Sequence, residues 1–163
     1  MVQRYRMSLL SFLILACAIG ACAGVLFRRK RAESLSEAML GYARGCEGAA
    51  VLRLVDSGAA VDSIDSSGCT ALFYAVDCED MNLVSELLDR GADPNIGSRW
   101  QYSPLCASIN TINSRALELL LKHDASPIGF GKSWDDVVEY AKLTRNERLV
   151  ELVQEAAESS DFD

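Results

Sequence analysis

Apolar positions along the chain fall into two regimes. From Met7 to Phe27, MSLLSFLILACAIGACAGVLF, 21 positions pass without a charge. As a helix that run would reach about 31 Å, the hydrocarbon thickness of a bilayer. Further on, apolar residues come in short clusters between polar ones. In AVDCEDMNLVSELLDRG, Leu83, Val84, Leu87 and Leu88 follow the i, i+1, i+4, i+5 spacing of one helix face. Gly91 stands where a helix C-terminus wants a left-handed residue. The cluster recurs: LVDSGAAVD around Gly58 precedes LLDRGADPN around Gly91 by 33 residues. Another 33 on, LLKHDASPI keeps the leucine pair and Ala125 but carries Asp124 in place of the glycine. Thr70, Ser103 and Ser133 stand as helix N-caps, and Ser133 is followed by acids in the first turn, where the helix dipole favours them. Each helix pair is too small to bury its own apolar face, so stacked neighbours must make one continuous core.

The best-formed unit reads DSSGCTALFYAVDCEDMNLVSELLDRGADPN, Asp65 to Asn95. It resembles the ankyrin repeat pattern at Asp65, Gly68, Thr70, Leu72, Ala75, Val84, Leu87, Leu88, Gly91, Ala92, Asp93 and Asn95. Ala71 replaces the pattern's proline and Phe73 its histidine. The third unit keeps Ser103-Pro104-Leu105 and Leu117, Leu120 and Leu121. The first is degenerate in its first half, and the fourth keeps Val138, Ala141, Val150 and Val153. The resemblance implies an all-α solenoid of about four helix-turn-helix units with hairpin loops, over about 34–62, 65–97, 98–130 and 131–158. One N-terminal transmembrane or signal helix with basic flanks, 1–31, precedes it, and an acidic tail, 159–163, follows. Terminal units of such stacks are expected to be atypical.

Charge divides the chain in the same place. Residues 1–31 hold six basic residues and no acid, while the remainder carries a net charge of −13. Such a domain lacks the cations that neutralise phosphates, so nucleic acid is excluded as a partner. Arg28–Arg31 can sit on lipid headgroups. Those four cations outnumber Arg4 and Arg6 on the other side, so the positive-inside rule favours a single-pass anchor with the domain in the cytoplasm. The alternative is an exported protein. Ile19–Cys22, IGAC, resembles a lipobox in which Cys22 takes the lipid of a periplasmic lipoprotein, and a cleaved signal fits the same n- and h-regions. Cys46, Cys69, Cys78 and Cys106 show no metal-type spacing. Buried thiols filling gaps between helices are the favoured reading, with an oxidised pair left open for an oxidising compartment.

Catalytic candidates do not assemble. Gly129–Ser133, GFGKS, has Ser126 where a phosphate-binding loop needs glycine. His123, the single histidine, falls at the end of an outer helix, and Asp135 and Asp136 are neighbours that point apart. The expectation is no enzyme activity, no cofactor, no metal and no small-molecule substrate. What remains is a protein-binding surface. The ankyrin resemblance implies contact positions at Ser66, Ser67, Cys69 and Asp77, at Arg99, Trp100, Tyr102 and Asn110, and at Phe130, Lys132 and Asp135. RWQY, Arg99–Tyr102, gathers the residue types most enriched at interface hot spots on one predicted tip. The bland alternative packs Trp100 on Phe130. The function expected is a membrane-tethered, non-catalytic adaptor for a protein partner. Alternatives are a periplasmic inhibitor or immunity lipoprotein, and a regulatory subunit of an enzyme complex.

Overall fold

In the computed structural model the backbone is described for residues 9–127 and 131–160, and side chains for 23–127 and 131–159. Most of the apolar run 7–27, the lipidation candidate Cys22 and the contact candidate Phe130 lie outside the described side chains. The described elements are eight α-helices and one 3-10 turn, with no strand. They are α1 Leu9–Arg44, α2 Gly48–Asp56, α3 Ala71–Asp77, α4 Met81–Asp89, α5 Pro104–Asn110, α6 Ser114–Lys122, α7 Trp134–Lys142 and α8 Glu147–Ser160; Trp100–Tyr102 is the 3-10 turn.

Consecutive helices pack as antiparallel pairs, α1 with α2, α3 with α4, α5 with α6 and α7 with α8. The inner helices α1, α3 and α5 stack in one layer, and the outer helices α2, α4, α6 and α8 in the other. The 33-residue period becomes columns of buried side chains. Met39, Leu72 and Leu105 form one, Val51, Val84 and Leu117 a second, and Leu87, Leu120 and Val153 a third, all fully or almost fully buried. Burial of each leucine contributes about 2 kcal/mol. Small side chains, Ala75, Ser108 and Ala141, are buried at the same interval on α3, α5 and α7.

The caps stand where the sequence places them. Thr70 Oγ1 accepts from Phe73 N at 3.1 Å, Ser103 Oγ from Cys106 N at 3.1 Å, and Ser133 and Asp136 close a reciprocal capping box. Asp80 and Asn113 cap the outer helices α4 and α6 in the same way. The recurrent Gly-Ala-Asp turn also acquires a physical role. Asp62 Oδ1 accepts from Asp93 N at 3.0 Å, and one period later Asn95 Oδ1 accepts from Ser126 N at 2.8 Å. Each turn thus latches onto the next. Asp124, which stands in place of the third glycine, takes its left-handed conformation at φ 61°.

A second left-handed series was not foreseen. Cys46, Glu79, Ile112 and Arg145, each 33 residues from the last, have φ between 54° and 58° in the turns joining inner to outer helices. Ile112 is the costliest, because a β-branched side chain crowds the following carbonyl in this region. It is also half exposed, so little burial offsets the strain. Ile112→Asn should raise stability in dilute solution by about 1 kcal/mol, read as an increase of a few degrees in Tm. An unchanged or lower Tm would show that Ile112 makes contacts worth more than its strain.

Two cysteines depart from the buried-thiol reading. Cys46 and Cys78 form a disulfide with Cα atoms 5.8 Å apart, linking the turns of the first two pairs. Their separation of 32 is one short of the period, so stacking brings successive turns side by side. Cys69 and Cys106 are buried free thiols, and burial pushes both above the ordinary thiol range, which leaves them unreactive.

Among the described residues no helix is long and apolar enough to cross a membrane. The backbone of α1 is nonetheless one helix of 36 residues, and its last turns, with Met39, Leu40 and Ala43 buried, are the inner helix of the first pair. Val25, Leu26 and Phe27 on the same helix are strongly exposed.

Candidate protein-binding face

The loops joining one pair to the next project as hairpin tips on the side of the inner helices. The first tip turns through Ser66 and Ser67, with Gly68 N donating to Asp65 O at 2.9 Å and Asp65 N to Cys69 O at 3.0 Å. Gly68 has φ 83°, and a Cβ there would run into Ser98 of the second tip. That close approach allows Ser98 N to donate to Gly68 O at 3.0 Å and Ser98 Oγ to Ser67 O at 3.0 Å. The tips are therefore fastened to each other.

Asp65 organises the base of the first tip. Its Oδ1 accepts from Ser67 N at 2.8 Å and Cys69 N at 3.1 Å, and its Oδ2 from the Tyr74 hydroxyl at 2.7 Å and from the Arg44 guanidinium. Burial alone would push this carboxyl up. The Tyr74 hydroxyl, the Cys69 and Ser67 amides and Arg44 together outweigh it and hold the group down at about 2. Burial and the bond to Asp65 push Tyr74 up to about 12, so it is a neutral donor at any ordinary pH. The Arg44 guanidinium also lies 5.7 Å over the Tyr74 ring.

Aromatic contacts run within α3 and from unit to unit. Phe73 meets Tyr74 edge-on at 5.4 Å and Tyr102 at 6.3 Å; Trp100 meets Tyr140 of α7 edge-on at 6.5 Å. The Tyr140 hydroxyl donates to Asn110 Oδ1. Trp100 is thus half buried against Tyr140, while the packing partner expected for it, Phe130, lies outside the described residues.

The expected contact residues separate into groups. Ser66, Ser67, Arg99 and Tyr102 line one depression of about 460 Å³ between the first two tips. Trp100 and Lys132 share a smaller one of about 230 Å³ with Asp136 and Tyr140. Asp135 is exposed in the first turn of α7. Asp77 and Asn110 end α3 and α5; Asp77 lines neither depression, whereas Asn110 adjoins the second one through its bond to the Tyr140 hydroxyl. Cys69 is a correction: it is 3 % exposed, because the turn that lifts Ser66 and Ser67 into solvent folds Cys69 back against the core. Sequence reasoning missed Tyr140, Asp65 and Arg44. A signal existed for the first of these, since Tyr74 and Tyr140 stand two periods apart.

The arrangement is suited to recognition. Its half-buried aromatic rings offer apolar contact, and Arg99, Lys132, Ser66 and Ser67 offer directional polar groups around them. Among the described residues no cluster of His, Cys, Asp and Glu could hold a metal ion.

Comparison with known proteins points the same way. The family profile described as ankyrin repeats (3 copies) matches residues 39–128, more than half of the chain. The chain is 35 % identical over 112 residues to the ankyrin repeat, SAM and basic leucine zipper domain-containing protein 1 of Ornithorhynchus anatinus, covering 66 % of this chain and 23 % of that protein. It is 39 % identical over 61 residues to an ankyrin repeat protein of fowlpox virus (strain NVSL), covering 37 % and 11 %. It is 28 % identical over 91 residues to the human transient receptor potential cation channel subfamily A member 1, covering 55 % and 8 %. The chain spans less than a quarter of the length of these curated relatives.

Proposed function

Because the chain belongs to the ankyrin repeat family, we propose that it is a non-catalytic interaction module that takes up a protein partner on its hairpin face and is held at a membrane by residues 7–27. The observation that carries the binding reading is the strip formed by Arg99, Trp100, Tyr102, Lys132 and Tyr140, which stacking assembles from successive units at the hairpin tips. Trp100→Ala combined with Tyr102→Ala should weaken capture of the partner by ~2 kcal/mol or more, about thirtyfold in Kd, with the far-ultraviolet circular dichroism unchanged. A folded double variant that captures the partner as well as the wild-type chain would refute this placement.

The tether has two supports. The uncharged run matches a bilayer in length, and α1 continues from its end into the first helix pair without a break. Ser36, the first buried residue among those described, is about 14 Å along the helix from Phe27, so the repeats would sit directly against the headgroups.

We further infer that the repeats face the oxidising side of that membrane. Cytosolic reductants keep thiol pairs open, whereas the Cys46–Cys78 bond belongs to an export compartment. This outweighs the small excess of Arg28–Arg31 over Arg4 and Arg6 that favours the cytoplasm. Either an uncleaved anchor or lipidation at Cys22 fits that side. A protease added to cells with an intact inner membrane should remove a tag placed after Asp163. Cleavage only after that membrane is opened would return the domain to the cytoplasm.

A further inference from the structure

The first helix enters the stack at the same end as the hairpin tips. Cys46 follows α1 and Cys78 follows α3, and their disulfide sets the C-terminal ends of both inner helices at one edge. Thr70, Ser103 and Ser133, which cap α3, α5 and α7 directly after the tips, therefore mark the other edge. That is the edge at which α1 arrives, as one helix from Leu9. The first tip lies along this same stretch of α1. Ala60 N donates to Ser36 Oγ at 2.9 Å, and Ser63, Ile64 and Ser66 line a cleft of about 720 Å³ with Arg29, Glu33 and Leu40. The inner helices lie side by side, so the stack extends across the line of α1, and its tips face the direction from which α1 comes.

We propose that the hairpin face looks onto the bilayer and that its partner is carried by the same membrane, as a segment of another membrane protein running along the headgroups. The inference rests on the tether by residues 7–27. With Phe27 at the bilayer boundary, Ser36 stands about 14 Å above it and Arg44 about 26 Å. The base of the first tip is thus held little more than one helix diameter from the lipid, while the turns at the other edge stand about 12 Å further out. A single helix or an extended segment fits that gap. A folded soluble domain, about 30 Å across, does not. Lipid itself is a poor occupant, because Arg99 and Lys132 are outnumbered on the tips by Asp62, Asp65, Asp93, Asp135 and Asp136, which leaves no excess cation to draw them to anionic headgroups. Confining chain and partner to one plane also raises the effective concentration of each for the other, so a strip of modest area suffices.

The test is thiol labelling of the full chain in phosphatidylcholine vesicles, after flotation to show that it is inserted. A cysteine is placed on the first tip, Ser66→Cys, or on the far turn, Leu143→Cys, both exposed positions, and labelling is read over the wild-type background. A small membrane-impermeant maleimide should react with both at similar rates, because water fills the empty gap. A maleimide on a polyethylene glycol coil of about 5 kDa should react roughly tenfold or more slowly at Ser66→Cys than at Leu143→Cys, because the coil is wider than the gap. About twelve glycine and serine residues inserted after Arg31 should let the stack move away by roughly 19 Å and bring the two coil rates together. Equal rates at both positions with both reagents would overturn the proposal, by showing an open hairpin face on an inserted chain. Slow reaction of both reagents at Ser66→Cys would overturn it as well, because the tips would then rest on the lipid itself. A slow coil reaction that persists after the insertion would do the same, by placing the obstruction in the fold and not in the bilayer. A chain that does not float with the vesicles would remove the tether, and the orientation with it.

Discussion

Replacing Cys46 and Cys78 by serine should lower the free energy of unfolding by roughly 3–4 kcal/mol, the loop-closure entropy released when a 32-residue separation is no longer closed. The loss should concentrate in one part of the molecule. In a stack of repeats each unit is stabilised by itself and by its neighbours, and the first pair matches its pattern worst. The bond ties that pair to the second, whose core contributes Leu72, Val76, Leu83, Val84, Leu87 and Leu88. Without it the first pair should open ahead of the rest. Both tryptophans, Trp100 and Trp134, lie beyond the second pair, so their fluorescence follows the C-terminal half. In guanidinium chloride the disulfide-bonded chain should give coincident midpoints by circular dichroism and fluorescence. The serine variant, or the wild type with a reductant, should show the dichroism midpoint falling below the fluorescence midpoint. Midpoints that stay coincident and unshifted on reduction would show that the bond adds nothing to the fold.

Asp65→Ala should cost about 3 kcal/mol, because it leaves the Ser67 and Cys69 amides and the half-buried Tyr74 hydroxyl without their acceptor. Asp65→Asn keeps an acceptor for the amides and removes the charge, and its effect should depend on pH. The folded carboxyl sits at about 2 against an ordinary 3.8, a lowered value, so its contribution is fully present above about pH 4 and disappears as pH falls towards 2. The side chain is only 8 % exposed, but its partner Arg44 is 58 % exposed and screened by solvent, so the ionisation is worth about 1–2 kcal/mol rather than the full shift. Wild type and Asp65→Asn should differ by that amount at pH 6 and converge near pH 2, by chemical denaturation at each pH. Parallel curves across this range would mean that the charge on Asp65 contributes nothing.

The two predictions also mark where sequence reasoning succeeded and where it ran out. The helix faces, the caps at Thr70, Ser103 and Ser133 and the left-handed Gly58 and Gly91 follow from local rules that span four or five residues, and the structure has each of them. The tip residues Ser66, Ser67, Arg99 and Tyr102 do come together, because the period itself places equivalent tips side by side. Asp77 took the same pattern-based assignment yet lines neither depression, since a helix of seven residues separates its two ends by about 10 Å, while Asn110 reaches the site only through Tyr140. The network of Arg44, Asp65 and Tyr74 joins residues 21 and 30 positions apart, and no window of helical length contains all three.

By itself, the sequence determined the repeating unit, its period, the all-helical class and the acidic character of the domain, because each is a property of spacing or composition repeated along the chain. Tertiary structure alone decided which cysteines pair, which aromatic rings touch and which turns share an edge. Stacking rotates each unit slightly against the last, so whether two side chains one period apart meet or miss is a matter of ångströms in three dimensions. Cys46 and Cys78, one residue out of register, are the pair that meets.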